Sequence, residues 1–428
     1  MPGRVLIVSP HFPPVNAPDM QRVRMSLPFF REFGWEPVVL AVGPTETERV
    51  DPVLNGTVPD SMPIVRVSAL PARLTRLVGV GNLALRALPA LHAEGARLIR
   101  ERQIDLVYFS TTMFLAMPLG RIWKHHLGVP FVLDIQDPWL SDYYETHPDV
   151  APPPKYRLAH RLHAILEPWT MRRVDGLVAV SDAYIDTLRS RYPRIPHDRC
   201  ATIPFAASES DVQYVRTHPQ PNPVFRREPN TLMGVSLGRG GDDLGPGLRI
   251  LFEAISQADG SFTTRDVRLH FVGTDYAPDG RARKTVEPVA AAVAPRLSVR
   301  ESTGRIPYFQ ALQVMEDADF LVLIGSDDPQ YTASKVYPYL LSGKPLVAVV
   351  HERSGLVPLL RGTNALVVTF GGQDHARAVN TLAEALPAFL RSLPFALVMD
   401  EAAARACSAR EMTRAQCALF DRVLAAAA

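Results

Sequence analysis

Cysteine is scarce in this sequence, and its scarcity argues against two kinds of stabilised fold. The 428 residues include three cysteines, Cys200, Cys407 and Cys417, which form neither a Cys-x-x-Cys pair nor a ligand set with histidine. An odd number of scattered cysteines fits neither a disulfide framework nor a zinc ribbon, and it indicates a reducing compartment. A chain of this length can bury a core without such staples.

Long apolar runs are lacking as well. No stretch approaches the ~18 uninterrupted apolar residues that predict a membrane-spanning helix. The apolar run at 4–9 is ended at once by Pro10, Pro13 and Pro14, which is unlike a signal peptide. A short apolar run stopped by a proline-rich loop is typical of a buried parallel strand. We therefore expect a cytoplasmic protein without a spanning helix.

The chain also lacks an excess of either charge. It has 46 Lys+Arg against 44 Asp+Glu, a net charge of +2, whereas proteins dedicated to nucleic acids usually carry a basic excess. We expect no nucleic-acid partner. The composition, with 47% hydrophobic and 21% charged residues, is that of an ordinary globular protein, and the length suggests two or three domains. Lysine is rare, since only 5 of the basic residues are lysines.

Apolar runs alternate with amphipathic stretches along the whole chain, which predicts parallel sheets covered by helices on both faces. The predicted strands lie at 5–8, 38–42, 64–67, 106–109, 131–135, 176–180, 201–203, 232–236, 269–272, 297–300, 320–324, 346–350 and 365–369. The predicted helices lie at 20–33, 83–102, 113–126, 156–173, 183–191, 246–258, 281–293, 308–316, 334–341, 376–390 and 400–427.

A polar, proline-rich stretch at 206–230 interrupts this alternation and is predicted to be a linker. The predicted fold is α/β, with two Rossmann-like, doubly wound domains facing a central cleft at the carboxyl ends of their strands. The N-terminal domain covers 1–205 and the C-terminal domain 231–399. A C-terminal helix at 400–428 follows, for which packing back on the N-terminal domain is one arrangement.

Several nucleotide and hydrolase signatures are missing. The first strand is followed by Ser9-Pro10-His11-Phe12-Pro13, which is not GxGxxG, and the chain has neither a Walker A motif nor a GxSxG elbow. A dehydrogenase, a P-loop enzyme and an α/β-hydrolase therefore lose their main support.

Six short motifs follow one another along the chain, and their order and spacing together are more specific than any one of them. These are VLIVSPHFPP at 5–14, FVLDIQDPW at 131–139, VDGLVAVSD at 174–182, LGRG at 237–240, GRIPY at 304–308 and SKVYPYLLSGKP at 334–345. Over most of its length the chain thereby resembles the GT-B glycosyltransferases, specifically the retaining group known as family 4. The resemblance implies a nucleotide-diphosphate sugar donor, a glycan or lipid-linked acceptor, a place in polysaccharide or cell-envelope synthesis, and no metal or other cofactor.

Such a reaction releases a diphosphate, so the site must stabilise growing negative charge. On the donor side the resemblance singles out the turn after the strand at 232–236, where glycine amides and an arginine fork could approach phosphate oxygens. The turn consists of Gly238, Arg239, Gly240 and Gly241. The alternative is a flexible turn with a solvated arginine.

Two further donor-side segments are predicted. Ser334 is a candidate N-cap for a helix whose amides would face the phosphates, and Lys335 follows it; the alternative is a capped helix with a surface lysine. The loop with Arg305 and Ile306 matches one where the family contacts the nucleotide base, and the alternative is a plain loop. Near Lys335 the donor-side set also includes Tyr331, Thr332 and Tyr337.

The chain departs from the family pattern at three positions. The lysine that usually follows the Gly-Arg turn is Leu244 here, and the two glutamates of the E-x7-E motif are Gln330 and Pro338. We hypothesise that Lys335 or Arg305 replaces the lysine, that Tyr337 or Tyr331 contacts the ribose, and that Gln330 hydrogen-bonds the donor sugar in the reaction centre.

The acceptor side is assigned to loops of the N-terminal domain. Asp137 could orient or deprotonate an acceptor hydroxyl, or could cap the turn before Trp139. His11 is either a residue of the reaction centre or a structural histidine. A retaining reaction can use the leaving phosphate as base, so a missing catalytic pair is expected. The remaining acceptor-side candidates are Asn16, Arg22, Arg24, Thr111 and Thr112.

The stretch 72–102 combines six arginines and two glutamates with many apolar residues. It could make peripheral contact with the inner face of the cytoplasmic membrane, or it could be an ordinary helix with its apolar face in the core.

Two other functions remain open. A nucleotide-sugar epimerase or hydrolase on the same fold is one, although an epimerase would need acid/base carboxylates that Gln330 and Pro338 do not supply. A non-catalytic nucleotide-sugar-binding scaffold is the other, favoured by the missing glutamates.

Overall fold

The computed structural model describes residues 2–427 apart from 47, 76, 78, 141–155, 259–264, 276–281, 330, 332, 373 and 374. The chain forms two compact units. The first contains residues 1–205 together with 409–428, and the second contains 206–408.

The first unit is built on a seven-stranded parallel sheet with the order β3-β2-β1-β4-β5-β6-β7. Its central strands are buried on both faces, and Val5, Leu6, Ile7 and Val8 have no exposed surface. Strands covered on both sides need apolar residues at every position, which explains the continuous apolar runs. The strands are β1 Gly3–Val8, β2 Trp35–Val42, β3 Ile64–Val67, β4 Leu106–Ser110, β5 Phe131–Ile135, β6 Gly176–Ala179 and β7 Cys200–Thr202.

The second unit repeats this design with a six-stranded parallel sheet in the order β10-β9-β8-β11-β12-β13. The strands are β8 Thr231–Leu237, β9 Asp266–Val272, β10 Ser298–Ser302, β11 Phe320–Ile324, β12 Leu346–His351 and β13 Leu366–Phe370. Every strand predicted from the sequence is thus confirmed, with bounds that differ by a few residues. The two sheets also confirm the predicted pair of Rossmann-like α/β domains.

Helices connect the strands of both sheets. Those of the first unit are α1 Gln21–Ser26, α2 Ala72–Thr75, α3 Leu83–Glu101, α4 Pro118–Leu127, α5 Tyr156–Met171 and α6 Asp182–Arg191. Those of the second unit are α7 Glu209–Thr217, α8 Gly245–Gln257, α9 Glu287–Val293, α10 Tyr308–Asp317, α11 Val336–Ser342, α12 Leu356–Arg361, α13 His375–Ser392 and α14 Glu401–Cys407. The last helix, α15 Ala409–Ala427, belongs to the first unit.

Three predicted helices are shorter than expected, and in the stretch 113–126 the α-helix starts only at Pro118, after a separate 3-10 turn Phe114–Ala116. The stretch 20–33 contains α1 and a separate 3-10 turn Phe30–Phe33, because Pro28 cannot donate the backbone hydrogen bond that a continuous helix needs. The stretch 281–293 becomes helical only at Glu287, since the backbone N–H groups of Thr285, Val286 and Glu287 donate to the Glu301 carboxylate.

The predicted linker and the predicted last helix also differ from the structure. Residues 206–230 contain α7, which Ser208 caps through the Asp211 N–H, and Arg216 donates to the Ser342 carbonyl. These hydrogen bonds fix part of the stretch within the second unit. The stretch 400–427 is two helices, because the backbone at Ser408 is extended (φ −79°, ψ 122°).

Helix α15 packs its aromatic side chain Phe420 into the first unit. The Phe420 ring lies 5.0 Å from Tyr108, 5.3 Å from Trp35 and 6.3 Å from Phe30, measured between ring centroids. Trp35 Nε1 donates to Asp421, and Gln416 Nε2, five residues earlier on the same helix, donates to the buried Ser26 Oγ. The last helix is therefore part of the core that supports β1, β2 and β4.

Among the described residues, no helix combines the length and apolar character needed to cross a bilayer.

Candidate functional site

In the first unit, the loop after β1 brings a histidine between two carboxylates. His11 Nδ1 lies 2.9 Å from Asp19 Oδ1, and His11 Nε2 lies 3.3 Å from Glu48 Oε1. Burial of the imidazole alone lowers its pKa, but the hydrogen bonds and charges of the two carboxylates outweigh burial and raise the pKa of His11 to about 9. His11 is therefore a held cation at neutral pH, not a free base.

Asp19 joins this loop to the end of β4. Its Oδ2 accepts hydrogen bonds from Thr111 Oγ1 at 2.7 Å and from the Thr112 N–H at 3.2 Å. Burial alone would raise the pKa of Asp19. The hydrogen bond and charge of His11 outweigh this effect, so the pKa lies below its ordinary value. The predicted residues His11, Thr111 and Thr112 thus meet around one carboxylate that sequence reasoning did not select.

The predicted acceptor residue Arg22 lies in the core below this loop. It and Asp134 are fully buried, with Arg22 Nε 2.9 Å from Asp134 Oδ2, and its Nη2 donates to the Ile203 carbonyl at 2.7 Å. Asp134 also accepts from Ser110 Oγ and Gln136 Nε2. These contacts give Arg22 a positioning role, since its charge is used inside the unit.

Arg24 is also buried, and its Nε donates to Gln21 at 2.8 Å. Asn16 is partly buried, and its backbone N–H donates to the Arg49 carbonyl. Of the acceptor-side candidates, these two lie on the loop and short helix after β1.

Asp137 follows β5 at the carboxyl edge of the same sheet. The residue is exposed, yet crowding of its carboxyl by protein and, second, the charge of Asp19 raise its pKa. Trp139 is buried and stacks on Phe114, with ring centroids 5.7 Å apart. Asp137 thus combines a raised pKa with exposure to solvent.

In the second unit, the glycine turn after β8 adopts conformations that other residues avoid. Gly238 and Gly241 have φ of +106° and +141°. A Cβ on Gly240 would lie 2.6 Å from Thr285 Oγ1, which itself accepts from the Gly241 N–H. Glycine is therefore required here for the path of the chain and for close packing.

Arg239 on this turn is held in place. Its guanidinium bonds both carboxylate oxygens of Asp243, at 2.9 and 2.7 Å, and lies 4.3 Å from the centre of the Tyr331 ring. Burial acts to lower the pKa of Arg239, but Asp243 outweighs it and raises the pKa. Asp243, four residues after Arg239, therefore neutralises much of the positive charge of Arg239, which the sequence analysis predicted to bind the donor phosphates.

Lys335 lies beside the same turn. Its Cδ would be 3.6 Å from a Cβ on Gly238, and its Nζ lies 3.3 Å from Ser236 Oγ at the buried end of β8. Burial of the ammonium and, second, the charge of Arg239 lower the pKa of Lys335 to about 8. Within the described residues no carboxylate pairs with it. The two donor-side segments that the sequence singled out thus meet at one place.

The cap predicted at Ser334 is wrong. Helix α11 begins at Val336, the residue before it is Lys335 in a helical conformation, and no side chain caps it. Ser334 is exposed, whereas Tyr337 is buried in the helix. Gln330 and Thr332 lie outside the described residues.

Arg305 and Ile306 follow β10 at this edge of the sheet. A Cβ on Gly273, which follows β9 with φ of +77°, would lie 3.7 Å from Arg305 Cγ and 3.9 Å from the Gly238 nitrogen. The ends of β8, β9 and β10 are therefore close together, with Arg305 exposed and Ile306 partly buried. The described residues contain no cluster of three or more metal-ligating side chains.

Part of the chain matches a model of a known protein family. Residues 22–206 match the family model described as a glycosyl transferase 4-like domain. A search of curated proteins gave no match.

Solved structures resemble nearly the whole chain at low identity. HepE from Anabaena, in complex with UDP and glucose, is 17% identical, with 99% of this chain and 97% of that chain covered at a TM-score of 0.52. A glycosyltransferase from Rickettsia africae is 13% identical, with 99% of each chain covered at 0.55. A UDP-forming α,α-trehalose-phosphate synthase from Burkholderia xenovorans is 14% identical, covering 100% and 97% at 0.55. The chain has the GT-B fold of these proteins.

Proposed function

We propose that this chain, which carries a glycosyl transferase 4-like domain at 22–206 on a GT-B fold, is a retaining glycosyltransferase. It moves a sugar from a nucleotide-diphosphate donor to a glycan or lipid-linked acceptor, in the cytoplasm or at the inner face of the cytoplasmic membrane. The complex of HepE with UDP and glucose supports a nucleotide-sugar donor.

The observation that carries the proposal is the meeting of Lys335 and the Gly238–Arg239 turn at the carboxyl ends of the second sheet. Ligands of doubly wound domains bind at this edge. A cation with no carboxylate partner among the described residues, next to a glycine turn, suits a diphosphate. Lys335 thereby supplies the charge that the family draws from the position occupied by Leu244.

The donor-side residues act on the leaving group. As the bond between the sugar carbon and the phosphate oxygen breaks, negative charge grows on the diphosphate, and Lys335 and Arg239 stabilise it. Arg239 keeps its fork fixed on Asp243, and an N–H group that neither Asp243 nor the Gly240 carbonyl uses donates to the diphosphate. We propose that these cations take the place of a metal, so that activity persists in excess EDTA.

The acceptor-side residues act on the incoming hydroxyl. Asp137 is the better base of the two candidates, because its pKa is raised while His11 is held protonated by Asp19 and Glu48. Asp137 therefore accepts a hydrogen bond from the acceptor hydroxyl and orients it. In a retaining reaction the departing phosphate oxygen takes the proton.

The test is a donor screen with matched lysine variants. Thermal shift with UDP-, GDP- and other nucleotide sugars identifies the donor, and product analysis with candidate acceptors measures transfer. We expect Lys335→Ala to weaken donor binding about tenfold or more, as loss of a charge-assisted contact does. Lys284→Ala removes an exposed lysine of the same unit that pairs with Glu287, and should leave binding unchanged.

Full donor affinity in Lys335→Ala would contradict the assignment of that residue. Donor binding without turnover would instead favour a scaffold, and epimerised or hydrolysed donor in the absence of acceptor would favour the enzyme alternatives.

We also propose peripheral contact with anionic membranes, through side chains that lie before α3. Leu70, Leu74 and Leu77 are 53%, 57% and 84% exposed, whereas α3 buries its apolar face in the core. Apolar side chains interspersed with arginine, here Arg73, suit an anionic surface. Co-sedimentation with phosphatidylglycerol vesicles should fall in Leu74→Ser/Leu77→Ser and not in Val398→Ser. Equal binding by all three proteins would exclude this contact.

A further inference from the structure

A second basic site lies on the sheet of the second unit, away from the donor-side turn. An open cavity of about 390 Å³ is lined by the segment 222–228 on one side and by β8, β9 and β10 on the other. It touches β8 at Met233, five residues before Gly238 and about 16 Å from it along an extended strand. The cavity therefore lies towards the amino ends of the strands.

Three arginines line this cavity. Arg268 and His270 are two residues apart on β9 and share one face of the sheet, and Arg300 of β10 is paired with His270 in the strand register. Arg226 contributes a third guanidinium from the covering segment. Burial, then the charge of Arg300 and that of Arg268, lower the pKa of His270, so both guanidinium groups act on the same imidazole.

The positive charge in this cavity is only partly neutralised. Arg268 bonds Glu228, the acidic residue in the lining, whereas Arg226 and Arg300 form no ion pair with any described residue. His270 is 5% exposed, and its buried Nε2 has no hydrogen-bond partner in the described part of the chain. With His270 neutral, the lining itself holds three guanidinium groups and one carboxylate, while Glu287 outside the lining interacts with the charge of Arg300.

We propose that this cavity binds a phosphate group carried by a small soluble molecule, as a site separate from the one that holds the sugar donor. Guanidinium forks match the oxygens of phosphate in geometry and charge. The volume is within the range of small-ligand sites. A bound phosphate would hold β9, β10 and the segment 222–228 together.

The test follows His270 as a local probe in the full-length protein. The ring signals of the 12 histidines are recorded by NMR, His270 is assigned by its loss in the His270→Gln variant, and inorganic phosphate or glycerol 3-phosphate is titrated in. An anion beside the imidazole favours its protonated form, so we expect the pKa of His270 to rise on binding. A signal that neither anion changes would overturn the proposal.

Matched arginine variants locate the binding. Arg300→Gln should weaken phosphate binding at His270 about tenfold, as expected for loss of one charge-assisted contact. Arg296→Gln removes the same charge from an exposed position outside the lining and should change binding less than about twofold, because a screened distant charge acts weakly. Equal loss in both variants would show general electrostatics instead of a site. A response to phosphatidylglycerol vesicles but to neither soluble anion would overturn a soluble ligand.

Discussion

At the scale of single residues, the two donor-side cations differ in how much charge they can offer. Arg239 is held by both oxygens of Asp243, whereas Lys335 bonds a neutral hydroxyl on Ser236. A guanidinium already paired with a carboxylate adds little net field. Lys335 is therefore the main source of uncompensated charge at this edge, and its protonation decides how strongly a diphosphate binds.

The lowered pKa of Lys335 makes a pH prediction. Only the protonated form of Lys335 attracts the diphosphate, and the pKa of Lys335 in the donor-free protein is about 8. We expect the donor dissociation constant to be constant below pH 8 and to rise up to about tenfold per pH unit above it. Isothermal titration of the donor, or of its nucleoside diphosphate, between pH 6.5 and 9.5 measures this.

The Lys335→Arg variant is the control for this pH dependence. Its guanidinium stays protonated over the whole range, so the break near pH 8 should disappear. A break that persists in this variant would mean that another group titrates.

The raised pKa of His11 leads to a prediction about the pH dependence of stability. Its pKa is raised from 6.5 to about 9 in the folded protein, so the stabilisation is complete below pH 6.5 and is lost as the pH rises through 9. The shift corresponds to about 3 kcal/mol of unfolding free energy for this mostly buried group. Urea unfolding of the first unit at pH 6 and pH 9.5 should show this loss.

The His11→Gln variant should remove most of that pH dependence and be less stable at pH 6, because it leaves Asp19 and Glu48 without a cation. A variant that retained the same slope between pH 6 and pH 9.5 would place the titrating group elsewhere.

Single residues also show which parts of the candidate site could be predicted from the sequence and which could not. The His-Phe-Pro-Pro loop and the Gly-Arg turn could be found because glycine and proline constrain the chain locally. Asp19 and Glu48 could not, since Asp19 follows His11 by eight residues, Glu48 lies in a different loop, and no regular spacing encodes either contact. The Arg239–Asp243 pair is separated by four residues and is the one partner that charge spacing could have indicated.

At the scale of elements, strands were easier to predict than helix ends. A parallel strand covered on both faces reads as a nearly continuous apolar run, as 5–8 of β1 and 106–109 of β4 do. Helix ends depend on contacts with distant residues, and the start of α9 is set by Glu301, which takes its backbone N–H groups. Such a contact cannot be predicted from the local sequence.

Helix α4 depends on a glycine for its close approach to the sheet. A Cβ on Gly120 would lie 2.5 Å from a Phe131 ring carbon and 2.9 Å from one of Phe109. We expect Gly120→Ala to destabilise the first unit by about 1–3 kcal/mol through overpacking, more than the helix propensity gained. The control is Gly245→Ala at the open start of α8, which should be neutral or slightly stabilising. Urea unfolding compares the two, and equal stability would contradict tight packing at α4.

At the scale of the whole molecule, the chain does not divide into two consecutive halves. Residues 409–428 return to the first unit after the second is complete. The sequence predicted a helix there, but an amphipathic pattern states which face is apolar and not which surface it covers. The contact was set by Phe420 and its partners Phe30, Trp35 and Tyr108, which are far apart in sequence.

This arrangement allows the stability of the first unit to be measured separately. All four tryptophans, Trp35, Trp123, Trp139 and Trp169, lie within 1–205, so tryptophan fluorescence follows the unfolding of the first unit. Phe420 is fully buried there, and Phe420→Ala should lower the fluorescence-detected unfolding free energy by about 3–5 kcal/mol. Phe389→Ala, which opens the core of the second unit beside Phe320, should leave that transition unchanged. If Phe420→Ala left the fluorescence transition in place, α15 would not belong to the core of the first unit; if Phe389→Ala lowered it equally, the two units would unfold as one.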